Sequence, residues 1–400
     1  MKKKILFVIN TFSRAGAEIA LLELLRRLNP DKYDISLFVL TGQGEMIEEL
    51  PDYVHLLNLQ YDNSSVLDGR GKRRLLWRTF GCLVKHGTGL KLSGYLFKNL
   101  MYMLKNKRVA PDKLVWRVWS DAAPVSKTQF DVAVAFLEGG ATYYVADHVK
   151  AKKKAAFVHI DYRMANYSRQ LDLDCYEAYQ QIFTVSDEVM DCFTAVYPEM
   201  AAKTFVFHNM IDQDAIRTKA LAGTGFTDDY EGFRILTVGR LTKQKALEIS
   251  VKAMKLLKES GKKARWYVLG EGDQREKLQK YIKSLGLVED FILLGAVDNP
   301  YPYFAQTDLY VHATRYEGKS IAVQEAQTLG CAILVSDCSG NREQLTDGVE
   351  GRICPFHPED ICAHIIWMME HPEECGRYAR EASKKVFSDE GQLEMLTSLA

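Results

Sequence analysis

Residues 308–337, DLYVHATRYEGKSIAVQEAQTLGCAILVSD, read as one strand–loop–helix–strand unit. Residues 309–312 are a short apolar run, fitting a buried strand that leads into a loop. Residues 320–329 follow with helical periodicity, and residues 332–335 return to an apolar run. Glu317 therefore falls at the carboxyl end of a strand, and Glu325 on the next helix. In open α/β sheets, ligands bind outside the carboxyl ends of strands. A carboxylate accepts two hydroxyl hydrogen bonds at once, so this spacing suits a polyol such as a sugar or a ribose. Taken alone, it also fits a glutamate favoured by a helix dipole and a second, solvated one.

Working outward, the same alternation covers the chain. In the second half, strands are expected at 234–238, 265–269 and 291–294, with helices at 246–259 and 274–285. In the first half, strands are expected at 5–9, 35–40, 131–136, 154–160 and 181–186, with a helix at 17–28. Apolar β-branched runs separated by helices indicate parallel sheets covered on both faces. Four hundred residues exceed one hydrophobic core, so two doubly wound α/β domains are expected. Periodicity is lost near 208–222, which sets domains at 1–207 and 208–400, with the last helix able to pack back on the first domain.

Hydrophobic residues make up 47% and charged residues 26%, as in ordinary globular proteins, and the formal net charge is zero. The eight cysteines show no Cys-x-x-Cys or zinc-like spacing, which fits reduced thiols. The run at 5–9 is too short for a signal-peptide core, and no stretch approaches the roughly 18 apolar residues of a spanning helix. The expectation is a cytoplasmic chain, at most peripheral at the inner face of the cell membrane. One segment departs from the rest. Between Arg70 and Arg117 there are thirteen basic residues and a single acid, Asp112, interleaved with Trp77, Phe80, Tyr95, Phe97, Tyr102 and Trp116. Such a segment fits either an amphipathic contact with an anionic membrane or surface helices with a solvated basic face. Without an accompanying nucleic-acid motif, nucleic acid is not expected as a partner.

Other ligand-facing candidates lie after strands. Gly239, Arg240, Lys243 and Lys245 stand between an expected strand and helix. Cations beside a helix N-terminus suit a diphosphate, and glycine permits close backbone approach. Gly270 and Gly272 end another strand, but the third glycine of a dinucleotide fingerprint is missing. Gly16, after the first strand, could let the backbone reach a phosphate across a cleft between domains. His159 lies at the end of the strand expected at 154–160, two residues before Asp161. A serine nucleophile elbow, a P-loop and a His-Glu-x-x-His metal site are all absent, and no metal with protein ligands is expected.

In this order and spacing, GRLTKQKAL, RYEGKSIAVQEAQTLG, RAGAE and HIDY resemble the motifs of the family 4 glycosyltransferases over nearly the whole chain. Ala15 and Ala246 replace usual glycines, and Lys319-Ser320 stands where Phe-Gly is common. The resemblance implies two facing Rossmann-like domains (the GT-B fold), the first binding acceptor and the second a nucleotide sugar. It implies a retaining, metal-independent hexosyltransferase acting on a glycan or lipid-linked acceptor, with a UDP-sugar as co-substrate and no other cofactor. Arg240 and Lys245 would neutralise the departing diphosphate, Glu317 would hold sugar hydroxyls and Glu325 ribose hydroxyls. Lys319, Ser320 and Ile321 would present backbone amides, Gly16 would lie beneath the diphosphate, and His159 would contact the sugar. A nucleotide-sugar epimerase and a non-catalytic nucleotide-sugar-binding protein are the alternatives on the same fold.

Overall fold

The computed structural model describes residues 2–66, 69–85, 87–106, 111–387 and 390–400. It contains two compact units, Met1–Met210 with Asp389–Ala400, and Ile211–Ser388. The final helix, Glu390–Thr397, counts with the first unit.

The first unit holds a seven-stranded sheet in the order β3-β2-β1-β4-β5-β6-β7. Its strands are β1 (Lys3–Ile9), β2 (Tyr33–Val39), β3 (Val54–Leu56), β4 (Gln129–Ala135), β5 (Lys150–Val158), β6 (Gln181–Thr184) and β7 (Thr204–Val206). The second unit holds a six-stranded sheet in the order β10-β9-β8-β11-β12-β13. Here the strands are β8 (Phe233–Val238), β9 (Ala264–Leu269), β10 (Phe291–Gly295), β11 (Leu309–His312), β12 (Ile333–Ser336) and β13 (Arg352–Cys354). Every pairing between these strands is parallel. The winding reverses between β1 and β4 in one sheet and between β8 and β11 in the other. Those two crevices are where doubly wound sheets bind ligands.

The apolar runs are strands because both faces are covered. Leu309 and Val311 pack into one cluster with Val268 and Leu334. Tyr310, between them, packs into the opposite cluster with Leu269 and Val335. Successive side chains alternate faces, so a strand buried on both sides reads as continuously apolar. The three-residue strands β3 and β13 were not anticipated, since so short a run carries no periodicity. All eight cysteines are free thiols.

The basic segment forms the helices Gly69–Lys85, Thr88–Lys91, Ser93–Asn106 and Pro111–Ala122. Lys107 and Arg108 lie outside the described residues, as do the side chains of Lys72 and Lys85. Not all the charge faces solvent. Lys113 is fully buried with Asp172, and Arg117 pairs with Asp147 at 2.9 Å. Among the described residues, no helix is long and apolar enough to cross a membrane.

Candidate active site

The loops following β8 and β11 are stitched together at the reversal point of the second sheet. Arg315 N donates to Gln244 O at 3.0 Å, and Gln244 Nε2 donates to Tyr316 O at 2.9 Å. Gly340, on the helix Ser339–Gln344, fits against the same loop. A Cβ there would lie 2.3 Å from the carbonyl oxygens of both Glu317 and Gly318. The stitching brings Lys245 to Glu317, to whose Oε2 its Nζ donates.

His312, at the end of β11, completes a hydrogen-bonded trio with this ion pair. Its Nε2 lies 3.1 Å from Lys245 Nζ and 3.2 Å from Glu317 Oε2, while Nδ1 lies 3.1 Å from Tyr310 Oη. Burial, reinforced by Lys245, holds the imidazole down at about 4, so it is neutral near pH 7. A neutral ring serves one neighbour at a time through Nε2. It donates to Glu317 as the Nε2–H tautomer or accepts from Lys245 as the Nδ1–H tautomer. Burial works to raise the Glu317 carboxyl, but the Lys245 charge and then His312 outweigh it and hold it at about 2. Glu317 is thus an ionised acceptor. Sequence reasoning passed over His312, whose only signal was a histidine closing an apolar strand.

Arg240 is exposed and forms no ion pair among the described residues. Lys243 turns instead to a hollow lined by Gln274, Lys277 and Arg315. A Cβ on Gly239 would only touch the Lys245 stem, at 3.5 Å. The other two glycines have a packing reason. A Cβ on Gly270 would meet Gly239 O at 2.1 Å, and one on Gly272 would meet Leu241 O at 2.2 Å. These glycines let the loop after β9 lie directly on the backbone that carries Arg240. Ala246 adopts φ +43° at the N-cap of the helix Leu247–Glu259. That left-handed conformation accounts for a glycine being usual there.

The helix Ile321–Thr328 begins beside Glu317. One expectation is corrected here: the Ser320 amide is already engaged, donating to Gln344 Oε1 at 2.8 Å while Gln344 Nε2 donates back to Ser320 O. Gln344 thus clamps the turn and leaves Ile321 as the first residue of the helix, where N–H groups lack intrahelical partners. Lys319 lies immediately before this clamp. Glu325 is buried one turn further on and accepts from Tyr301 Oη at 3.1 Å. Burial pushes its carboxyl up to about 7.

In the first unit, Gly16 is the exposed first residue of the helix Gly16–Arg27, and a Cβ there would meet no protein atom within 4 Å. His159 lies just past β5. Burial holds its imidazole down at about 4, and its Nε2 has no hydrogen-bond partner among the described residues. Its backbone N–H donates to Glu138 Oε2 at 2.9 Å. Sequence analysis did not single out Glu138. Among the described residues one group, Asp161, Glu188 and Cys192, gathers three potential metal-donor atoms. Arg163 already donates to the Cys192 sulfur there, at 3.0 and 3.2 Å.

Residues 228–385 match the family described as Glycosyl transferases group 1. One relative, N-acetylgalactosamine-N,N'-diacetylbacillosaminyl-diphospho-undecaprenol 4-alpha-N-acetylgalactosaminyltransferase of Campylobacter jejuni, is 36% identical over 159 residues, covering 40% of this chain and 42% of that protein. Poly(glycerol-phosphate) alpha-glucosyltransferase of Bacillus subtilis is 24% identical over 220 residues, covering 54% of this chain and 31% of that protein. The matches thus span less than half the length of these relatives. Among solved structures, HepE of Anabaena in complex with UDP-glucose superposes with a TM-score of 0.68 at 15% identity, over 99% of both chains. That likeness extends the two-unit GT-B fold over the whole chain.

Proposed function

We propose, from the premise that this chain belongs to the group 1 glycosyl transferases, that it moves a hexose from a UDP-sugar to a hydroxyl-bearing glycan or lipid-linked acceptor with retention. The observation that carries this reading is the Lys245–Glu317 pair at the reversal point of the second sheet, with Arg240 exposed on the same loop as Lys245. A departing diphosphate gains negative charge, and two cations fixed beforehand stabilise it where it forms. Glu317, held ionised, accepts hydroxyl hydrogen bonds from the transferred sugar. Glu325 takes the ribose hydroxyls, and the free amides at the start of the helix Ile321–Thr328 face phosphate or sugar oxygens. Retention follows the family pattern of same-face attack, in which the leaving phosphate takes the acceptor's proton.

The test is a thermal-shift series with UDP and several UDP-sugars, followed by product analysis with and without acceptor. A cognate donor at 100 times its Kd adds about 2.7 kcal/mol to stability. No shift with any of them refutes the reading, and an altered free sugar formed without acceptor replaces it with an epimerase.

The acceptor reading extends to an anionic bilayer. Leu76, Trp77, Phe80 and Val84 are exposed at helical spacing on the helix Gly69–Lys85. Phe97, Leu100, Met101 and Leu104 repeat that spacing on Ser93–Asn106. Exposed Arg70, Arg73, Lys98 and Lys105 lie on the same two helices. Apolar stripes turned to solvent beside basic groups favour the headgroup–acyl boundary. Flotation with phosphatidylserine vesicles should carry the protein up at low salt and less at high salt. No flotation at either refutes this contact.

A further inference from the structure

The hollow that Lys243 turns to has a volume of about 380 Å³ and lies wholly in the second unit. Its walls are the loop before the helix Leu247–Glu259, the start of the helix Arg275–Ser284, and the loop after β11. Three cations line it, Lys243, Lys277 and Arg315, against one carboxylate, Glu248. That carboxylate is already engaged, because Arg315 Nη2 donates to Glu248 Oε1 at 2.6 Å. Arg315 Nε donates to Lys243 O at 3.3 Å, so two bonds fix the guanidinium and leave it further N–H donors. The Lys243 and Lys277 ammonium groups have no ion pair and no hydrogen-bond partner among the described residues.

Isolated surface lysines are simply solvated. Here two such ammonium groups and a fixed guanidinium share one small hollow, where like charges repel and an anion relieves the repulsion. Two helices, of 13 and 10 residues, begin at its walls, and a helix N-terminus adds positive potential. Asp273, exposed beside Gln274, does not line the hollow. Neither do Arg240 and Lys245, so the hollow is separate from the cations assigned to the departing diphosphate. Its wall does include the stitch between the donor-side loops, where Arg315 N donates to Gln244 O. An anion held by Lys243 and Arg315 would cross-link those loops, and Lys277 would tie them to the neighbouring helix.

We propose that this hollow is a second anion site, binding a phosphate-type dianion through Lys243, Lys277 and Arg315 while the donor diphosphate occupies Arg240 and Lys245. The ligand chemistry is a phosphate or diphosphate group, carried by a free ion or by an organic phosphoester. The site goes beyond the transfer reaction and does not depend on it.

The experiment titrates the full chain, saturated with UDP, with inorganic phosphate, pyrophosphate and glycerol 3-phosphate at constant ionic strength. Calorimetry should show saturable binding of at least one of them with UDP in place. Tighter binding of phosphate or pyrophosphate assigns a free ion, and tighter binding of glycerol 3-phosphate assigns a phosphoester. Lys243→Ala and Lys277→Ala should each weaken that binding about tenfold, since each removes a charge-assisted hydrogen bond. Lys277→Ala should keep the wild-type melting temperature and UDP-induced shift, and Arg240→Ala should keep the anion site. Wild-type anion affinity in both lysine variants overturns the inference and leaves solvated lysines. Competition of the anion with UDP for one site overturns it too, as does absence of binding to the UDP-saturated chain. If UDP itself gives no shift, the glycosyltransferase reading fails alone, and the same lysine variants decide the anion site in the UDP-free chain.

Discussion

Two lysine–carboxylate pairs in this molecule have the same chemistry and opposite surroundings. Lys113 and Asp172, in the first unit, have side chains 1% and 0% exposed. Lys245 and Glu317, in the second, are 16% and 13% exposed. Asp172 is saturated: Lys113 donates to it at 2.8 Å, Tyr143 at 2.7 Å and Tyr197 at 2.9 Å. The Lys113 ammonium also lies 4.0 Å over the Tyr167 ring. Nothing remains for a ligand to bind. The Lys245 pair instead lies at the carboxyl end of a sheet, bonded to His312, with Arg240, which forms no ion pair among the described residues, five residues before Lys245. Charge pairing by itself therefore does not mark a site; the proposed one differs by its exposure and its place at a reversal point.

The comparison breaks most visibly in stability. Lys113→Ala leaves a buried carboxylate without its cation, which typically costs about 3–5 kcal/mol. The midpoint of urea unfolding should drop accordingly, and a midpoint within 1 kcal/mol of wild type would show that the tyrosines alone hold Asp172. Lys245→Ala should reverse the balance. Losing a fixed cation at a developing charge costs about 100- to 1000-fold in kcat. Its stability cost should be about 1 kcal/mol, since the pair is partly open to water. Wild-type turnover with a large drop in stability would make it a second structural pair.

Glu325 sharpens the contrast, because it is a buried carboxylate with no cation bonded to it among the described residues. Its folded-state carboxyl titrates at about 7, above the ordinary value of 4.5. The protonated form is therefore the one folding favours. Its contribution is complete below about pH 4.5 and is lost as pH rises through 7. At 1.36 kcal/mol per pKa unit, the loss reaches about 3 kcal/mol. Glu325→Gln should thus be more stable than wild type at pH 8 and equal to it at pH 4.5. It should also bind UDP about tenfold more weakly if the carboxylate takes ribose hydroxyls. Melting curves at the two pH values, with and without UDP, check both parts. An equal gain at both pH values would assign the effect to packing rather than ionisation.

The extent to which sequence foretold these features follows from the range of the interactions. Strands such as Leu309–His312 were legible because burial on both faces writes a continuous apolar run. Glu317, Lys245 and Arg240 were legible by position, each a few residues beyond such a run. The identity of Lys245's partner was not, because the contact spans 72 residues. Lys113 was misjudged for the same reason: local composition placed it on a basic surface, and only the distant Asp172 shows it to be core. Gln344 lies 24 residues beyond the Ser320 amide that it occupies. Glu138 was overlooked because its partner, the His159 amide just past the next strand, is 21 residues away. Composition reads faces, and it cannot read which distant side chain completes them.

A third pair extends the series to the surface. Arg315 Nη2 lies 2.6 Å from Glu248 Oε1, with side chains 46% and 40% exposed; Arg315 is on the loop that carries Glu317, and Glu248 is in the first turn of the helix after Lys245. Water screens such a pair, and holding two long side chains in register costs entropy, so exposed pairs contribute about 0.2–1 kcal/mol. The loops do not depend on it, because the stitch between them is the backbone contact of Arg315 with Gln244. Glu248→Gln should then lower stability by less than about 1 kcal/mol and leave kcat within twofold of wild type. Raising the salt concentration should erase even that small difference, since salt screens exposed charges more than partly buried ones. If kcat falls tenfold instead, the Arg315 side chain is setting the position of Glu317, and exposure has ceased to rank these pairs.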